Sequence, residues 1–255
     1  MAKKPKISLA LLLTPEGRFD FDTVWREVFA AQQSVTVFVY CKKNFGSAVL
    51  EGLVRRNIGY LDEMGLGGNS AALQACRLSA VNSYADIERV TRNAAILCIY
   101  AAAESIAKTA VHIWCDEKPG EVRRALHEIS QRLPVGDDDR KLLTFVDGDG
   151  CGFSMCLQVL DNLTHLSSLP AIPSRMNATE TTWKYEQSRL DGLGEERRYI
   201  AHENLLRISD TNVEAECGYV GDFLLVVNEW LNVRFDRGGR VPSQELQTTG
   251  NAPAT

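Results

Sequence analysis

The chain has 255 residues, 45% of them hydrophobic and 24% charged, with 19 Gly and 8 Pro. This composition excludes a collagen-like or low-complexity protein, and the length suits one large domain or two small ones with a substantial core. Lys and Arg number 28 against 33 Asp and Glu, a net charge of -5, which argues against a surface coated in basic side chains for duplex DNA but leaves room for a local basic cleft.

Residues 1–20 read as a short strand, a TPEG turn and a second strand from Arg18 to Phe21. MAKKPK followed by ISLALLL mimics the start of a signal peptide, but the stretch after it is acidic and lacks a small-x-small cleavage site, so a strand or a short anchor segment is the better reading. A long helical region starts near Asp22 and is broken at Gly65–Ser70, although the β-branched run around Val35–Val39 competes for strand. The firmest helix runs from about Asp86 to Cys115. Its Ile99, Ala103, Ile106, Ala110 and Ile113 recur at three- and four-residue steps, and Lys118-Pro119-Gly120 ends it.

A shorter amphipathic helix is expected from Glu121 to Leu133, then an exposed acidic loop over Pro134–Gly150. Further helices are expected over Met155–Leu166, over Thr181–Ile208 with interruptions at Gly192 and Gly194, and over Val213–Phe235. The polar tail from Gly238 has the composition of a disordered segment. The fold class is mainly α, a helical bundle with a short N-terminal β-hairpin. The domain reading is an N-terminal segment 1–20, one helical domain 21–236 and a tail 237–255.

No apolar run reaches the roughly 18–20 residues that span a bilayer; the longest is Ala94–Ala103. Seven scattered cysteines form no CxxC pair, so they read as buried free thiols of a reducing, cytoplasmic compartment. Gly65–Ser70 lacks the spacing of a phosphate loop, and Asp147-Gly148-Asp149-Gly150 lacks the closing Glu of a calcium loop. The Gly152–Cys156 stretch lacks the second glycine of a nucleophile elbow. His112, His127 and His165 read as packing or surface residues, since metal sites need several convergent ligands.

Residues 195–204, Glu-Glu-Arg-Arg-Tyr-Ile-Ala-His-Glu-Asn, differ from the rest. On a helix Arg198 and His202 are four apart and share a face, and Arg197 lies on the adjoining flank. Two guanidiniums and an imidazole suit a phosphodiester: imidazole exchanges protons near neutral pH, and a guanidinium holds two phosphate oxygens as charge builds on them. With RNA the 2′-hydroxyl is a built-in nucleophile and no metal or cofactor is required. The competing reading is a solvated helix face on which Arg198 pairs with Glu195.

The segment resembles the Arg-x4-His motif of HEPN domains, all-helical modules of prokaryotic ribonuclease toxins and antiviral defence proteins. Arg197, Ile200, Ala201 and His202 match the pattern Arg-Asn-x-Ile-Ala-His-Gly. Leu190–Leu193 resembles the leucine-rich lead-in, Ala94–Ala110 with Glu104 resembles the apolar helix bearing one acidic residue, and Val213–Phe235 the helix that packs behind the motif. The resemblance covers about residues 90–235. Two positions depart from it: Arg198 stands where Asn is usual, and Glu203 where Gly is usual.

The resemblance implies a homodimer with both motifs on a shared cleft and RNA cleaved to a 2′,3′-cyclic phosphate. It makes His202 the general base or acid and Arg197 the transition-state clamp, with Arg198 lining the cleft. Glu104 is either a carboxylate that orients the site or half of an ion pair within the bundle. The implied setting is toxin–antitoxin or antiviral defence, with an antitoxin or defence protein as partner and no membrane. The departures favour an alternative, a catalytically silent module that binds RNA, a nucleotide or a protein.

Overall fold

The computed structural model describes residues 12–130, 139–148, 150–177, 180–202 and 212–239, with the backbone alone for His202. These residues are mainly helical: seven α-helices and a single two-stranded sheet. Helix α1, Phe21–Glu63, opens on Asp20, whose carboxylate accepts the Thr23 N–H and satisfies one of the free donors of the first turn. Helix α2, Ser70–Glu117, is capped in the same way by Asn69, which accepts from Ala71 and Ala72. The expected break at Gly65–Ser70 is thus a tight turn, with Gly65 at φ 72°, between two antiparallel helices. By length and composition α2 could cross a membrane, and more than half of its apolar window is buried inside the bundle.

Helix α2 starts sixteen residues before the sequence reading placed it. The stretch Ser70–Ala85 is rich in Ala and Ser and buries only Ala80, so it carries little apolar periodicity to read. Downstream the periodicity holds, because Ile99, Ala103, Ile106, Ala110 and Ile113 are all fully buried. Pro119 then opens α3, Pro119–Ile129, where its missing N–H is not needed.

The acidic segment 134–150 departs from its expected form. Asp139–Asp147 is a helix, α4, which buries Leu142 and Val146, while residues 131–138 lie outside the described residues. Its acidic ends, Asp139 and Asp147, disguised a two-turn amphipathic pattern. Helix α5 is Phe153–Thr164, ended by His165 in the left-handed conformation at φ 57°, and a 3-10 turn follows at Leu166–Ser168. Strands β1, Ile172–Pro173, and β2, Thr182–Trp183, pair antiparallel with Ile172 opposite Trp183. Helix α6, Gln187–His202, runs unbroken through Gly192 and Gly194, against the expected interruption; residues 203–211 lie outside the described residues. Helix α7, Val213–Phe235, has the expected bounds.

The core sits where α2 packs against α1, α5, α6 and α7, with α7 also against α1. Trp114 stacks on Trp230 at 4.6 Å between centroids and meets Phe235 edge-on at 5.1 Å. The N-terminal hairpin is reduced to one bridge, Leu13 with Phe19, around the Thr14–Gly17 turn; residues 1–11 lie outside the described residues. Arg237 fixes this turn to the body, donating to the Gly17 carbonyl and pairing with Asp116 and Glu117. Gly239 exchanges hydrogen bonds with the Asn228 amide, so residues 237–239 are packed rather than part of a free tail. Four cysteines are buried, but Cys41 and Cys98 are exposed and Cys76 half-buried, which corrects the reading of all seven as core thiols.

Candidate functional site

Helix α6 lies across the middle of α2, and two short-range facts set their spacing. Leu190 and Leu193 bury their side chains, and Gly194 comes so close to Tyr100 that an added Cβ would stand 3.3 Å from the ring. That places the next turn of α6 above Tyr100. The Arg197 guanidinium sits over the Tyr100 ring, 5.6 Å from its centroid, and its side chain is otherwise exposed.

On α2, Tyr100, Glu104 and Lys108 are successive residues of one helix face. Glu104 pairs with Lys108 at 3.2 Å, and both side chains are about 14% exposed. Burial first and the Glu104 carboxylate second push the Tyr100 hydroxyl up to about 12, with Arg197 pulling the other way. Tyr100 is therefore a protonated hydrogen-bond donor at neutral pH rather than a base. Phe153 meets its ring edge-on at 5.3 Å, and Gln187 donates to Asp191, nearly two turns before Arg197.

The structure thus brings Arg197 to the Tyr100–Glu104–Lys108 face. Glu104 takes the bundle ion pair of its two readings and also acts on Tyr100. Arg198 is elsewhere: it pairs with Glu195 at 2.8 Å with both side chains about 60% exposed, and its guanidinium lies over Tyr199. His202 is the last described residue of α6, by its backbone alone, while its side chain and Glu203 lie outside the described residues.

Tyr100 and Lys108 went unremarked in the sequence although they stand one turn either side of Glu104, a spacing that was legible. His112 is held at 2.7 Å by Asp147 of α4, a partner 35 residues away that no local pattern announces. Cys151 and Cys156, both fully buried, have their sulfurs 3.2 Å apart at the start of α5. Their mutual hydrogen bond, helped by Lys108, lowers the Cys151 thiol; the same hydrogen bond and burial raise that of Cys156 well above the ordinary value.

No protein-family model matches the chain, and neither curated proteins nor solved structures match it. The chemistry of the site therefore rests on its own residues. It offers one exposed guanidinium, one protonated phenol and a half-buried carboxylate–ammonium pair. This set carries one net positive charge and hydrogen-bond donors, and its one carboxylate, Glu104, is engaged by Lys108.

Proposed function

We propose that the chain is a metal-independent endoribonuclease of the HEPN type, acting on RNA in toxin–antitoxin or antiviral defence in the cytoplasm. The observation that carries this reading is Arg197, exposed above Tyr100 one turn before the His202 backbone and beside the Glu104–Lys108 pair. In this reading His202 takes the proton of the 2′-hydroxyl, whose oxygen attacks the adjacent phosphorus. The P–O5′ bond breaks, the leaving oxygen receives a proton from the second motif of a homodimer, and a 2′,3′-cyclic phosphate remains. Arg197 holds the equatorial phosphate oxygens as their charge grows, an interaction whose removal costs on the order of a hundredfold in rate or more.

The experiment is incubation of the purified chain with an RNA panel in EDTA, with the new ends analysed chemically. Cleavage to cyclic phosphates, abolished in His202→Ala and reduced at least a hundredfold in Arg197→Ala, is the expected result. A second reading, a silent module that binds RNA, a nucleotide or a protein partner, is favoured by the engagement of Arg198 with Glu195 on open surface. Intact RNA across the panel, with binding that weakens in Arg197→Ala, replaces the first reading by the second.

A further inference from the structure

The junction of α4 with α5 holds two thiols that the candidate site leaves unused. Cys151 precedes α5 and Cys156 stands near its start, both fully buried, with their sulfurs 3.2 Å apart. The Cys156 sulfur also faces the Cys151 carbonyl at 3.7 Å, so it points back at its partner. A disulfide is about 2.0 Å long, and the two sulfurs need to close by only about 1.2 Å to form one.

The two thiols are unequal. The hydrogen bond from Cys156 and the charge of Lys108 lower the Cys151 thiol, while the same bond and burial raise that of Cys156. The thiolate is the form that attacks an oxidant, which makes Cys151 the nucleophile and Cys156 the thiol that resolves the product. The cover over Cys151 is thin. Gly150 and Gly152 on either side of it are exposed and carry no side chain. An open groove of about 480 Å³, lined by Arg140, Lys141, Thr144, Phe145 and Gly150, reaches the residue just before it. A molecule little larger than water needs only a local opening of this turn to meet the sulfur.

We propose that Cys151 and Cys156 form a hydroperoxide-reactive pair whose closure to a disulfide resets the Tyr100–Arg197 site. The Cys151 thiolate attacks one oxygen of hydrogen peroxide and the O–O bond breaks. The hydroxide that leaves takes up the proton lost by the thiol and becomes water. The Cys156 sulfur then attacks the Cys151 sulfenic acid, the S–S bond forms, and the sulfenic hydroxyl departs with the Cys156 proton as a second water. Two thiols give up two electrons, and one peroxide accepts them. A dithiol reductant reverses the step by thiol–disulfide exchange.

Phe153 carries the change to the site. It lies within the loop that closes, its ring meets Tyr100 edge-on, and Arg197 stands over that same tyrosine ring. Closure also removes the thiol charge that Lys108 faces and leaves Lys108 to Glu104, which acts on the Tyr100 hydroxyl. The chemistry of the pair does not depend on the nuclease reading and applies equally to a site that only binds.

The test is treatment of the folded full chain with hydrogen peroxide, followed by alkylation of free thiols, trypsin digestion and mass spectrometry. The tryptic peptide 142–175 holds both cysteines and no other. It is expected to lose two hydrogens, about 2 Da, and to regain them in dithiothreitol. In Cys156→Ser, dimedone is expected to trap a sulfenic acid at Cys151, whereas Cys151→Ser leaves Cys156 unmodified. In spectra of the 15N-labelled wild type, oxidation is expected to shift the amide signals of Tyr100 and Arg197 along with those of residues 151–156. A peptide 142–175 that stays reduced while the exposed Cys41 and Cys98 are oxidised overturns the proposal. So does a sulfenic acid at Cys156 in place of Cys151, and so do amide shifts confined to residues 151–156. Should the serine variants fail to fold, the wild-type peptide and spectra decide alone.

Discussion

Arg189 shows what a guanidinium does when every one of its faces is used. It donates to both oxygens of Glu216 at 3.0 Å and to both oxygens of Glu180 at 3.1 Å, and it lies 4.1 Å over the Tyr219 ring. Burial works against its charge, but the hydrogen bonds it donates to Glu216 and then Glu180 outweigh it and hold the proton more tightly than usual. Arg189→Ala leaves Glu216, 14% exposed, without its counter-charge beside the sheet and the start of α6. The expected loss is on the order of 2–3 kcal/mol in urea unfolding, the Glu180 half being discounted for its exposure. Arg189→Lys recovers little of it, since an ammonium cannot fork to two carboxylates and stack on a ring together. Arg197 is the reverse case, with one ring beneath it and an open face above, so its substitution is expected to leave stability within about 0.5 kcal/mol. An arginine that holds the fold and one free to meet a ligand lie eight residues apart on the same helix.

At the level of elements, α6 is governed by its two glycines, and they do opposite things. Gly192 is exposed with nothing near its missing Cβ, so Gly192→Ala is expected to stabilise by about 0.5–1 kcal/mol through helix propensity alone. Gly194 faces the Tyr100 ring at 3.3 Å, and Gly194→Ala makes the ring or the helix yield by a few tenths of an ångström. Its gain in propensity is expected to be cancelled, and the tyrosine fluorescence and binding behaviour of the Arg197–Tyr100 pair to change where Gly192→Ala leaves them alone. Equal stabilisation by both changes would show that the close approach at Gly194 is not maintained in solution. The sequence marked both as interruptions because glycine is a poor helix former, and tertiary packing overrode that preference. Where packing and periodicity agree, the bounds are legible: α7 repeats Cys217, Val220, Leu224, Val227 and Leu231 on one buried stripe. Where packing is absent, as in the first turns of α2, there was no stripe to read. The site was legible only in part for a related reason. Arg197 and Glu104 stand out as charges near apolar runs, but the contact of α6 with α2 is a tertiary fact, as is the pairing of His112 with Asp147.

Across the whole molecule five weak acids shift the same way, whereas Cys151 beside Cys156 is the exception. Cys115 and Cys217 are pushed up to about 12, chiefly by burial and then by neighbouring carboxylates, and Tyr100 likewise. Burial also raises Tyr185 and Tyr219, whose rings pack against Phe223 and Trp183. For each group the neutral form is favoured in the folded chain. Below the ordinary thiol and phenol values, near 9 and 10, both folded and unfolded chains keep these protons and the full stability is present. Between those values and the folded ones the unfolded chain releases protons that the folded chain retains, so stability falls as pH rises. Five groups acting together make that fall steeper than one proton per unfolding event. Thermal melts followed by circular dichroism from pH 8 to pH 11.5 are therefore expected to hold level to about pH 9 and then drop, with buried tyrosines ionising only as the helix signal is lost. Phenolate absorbance that develops fully while the helices remain intact would place these hydroxyls in water, and with them the core of α2, α5 and α7 that encloses them.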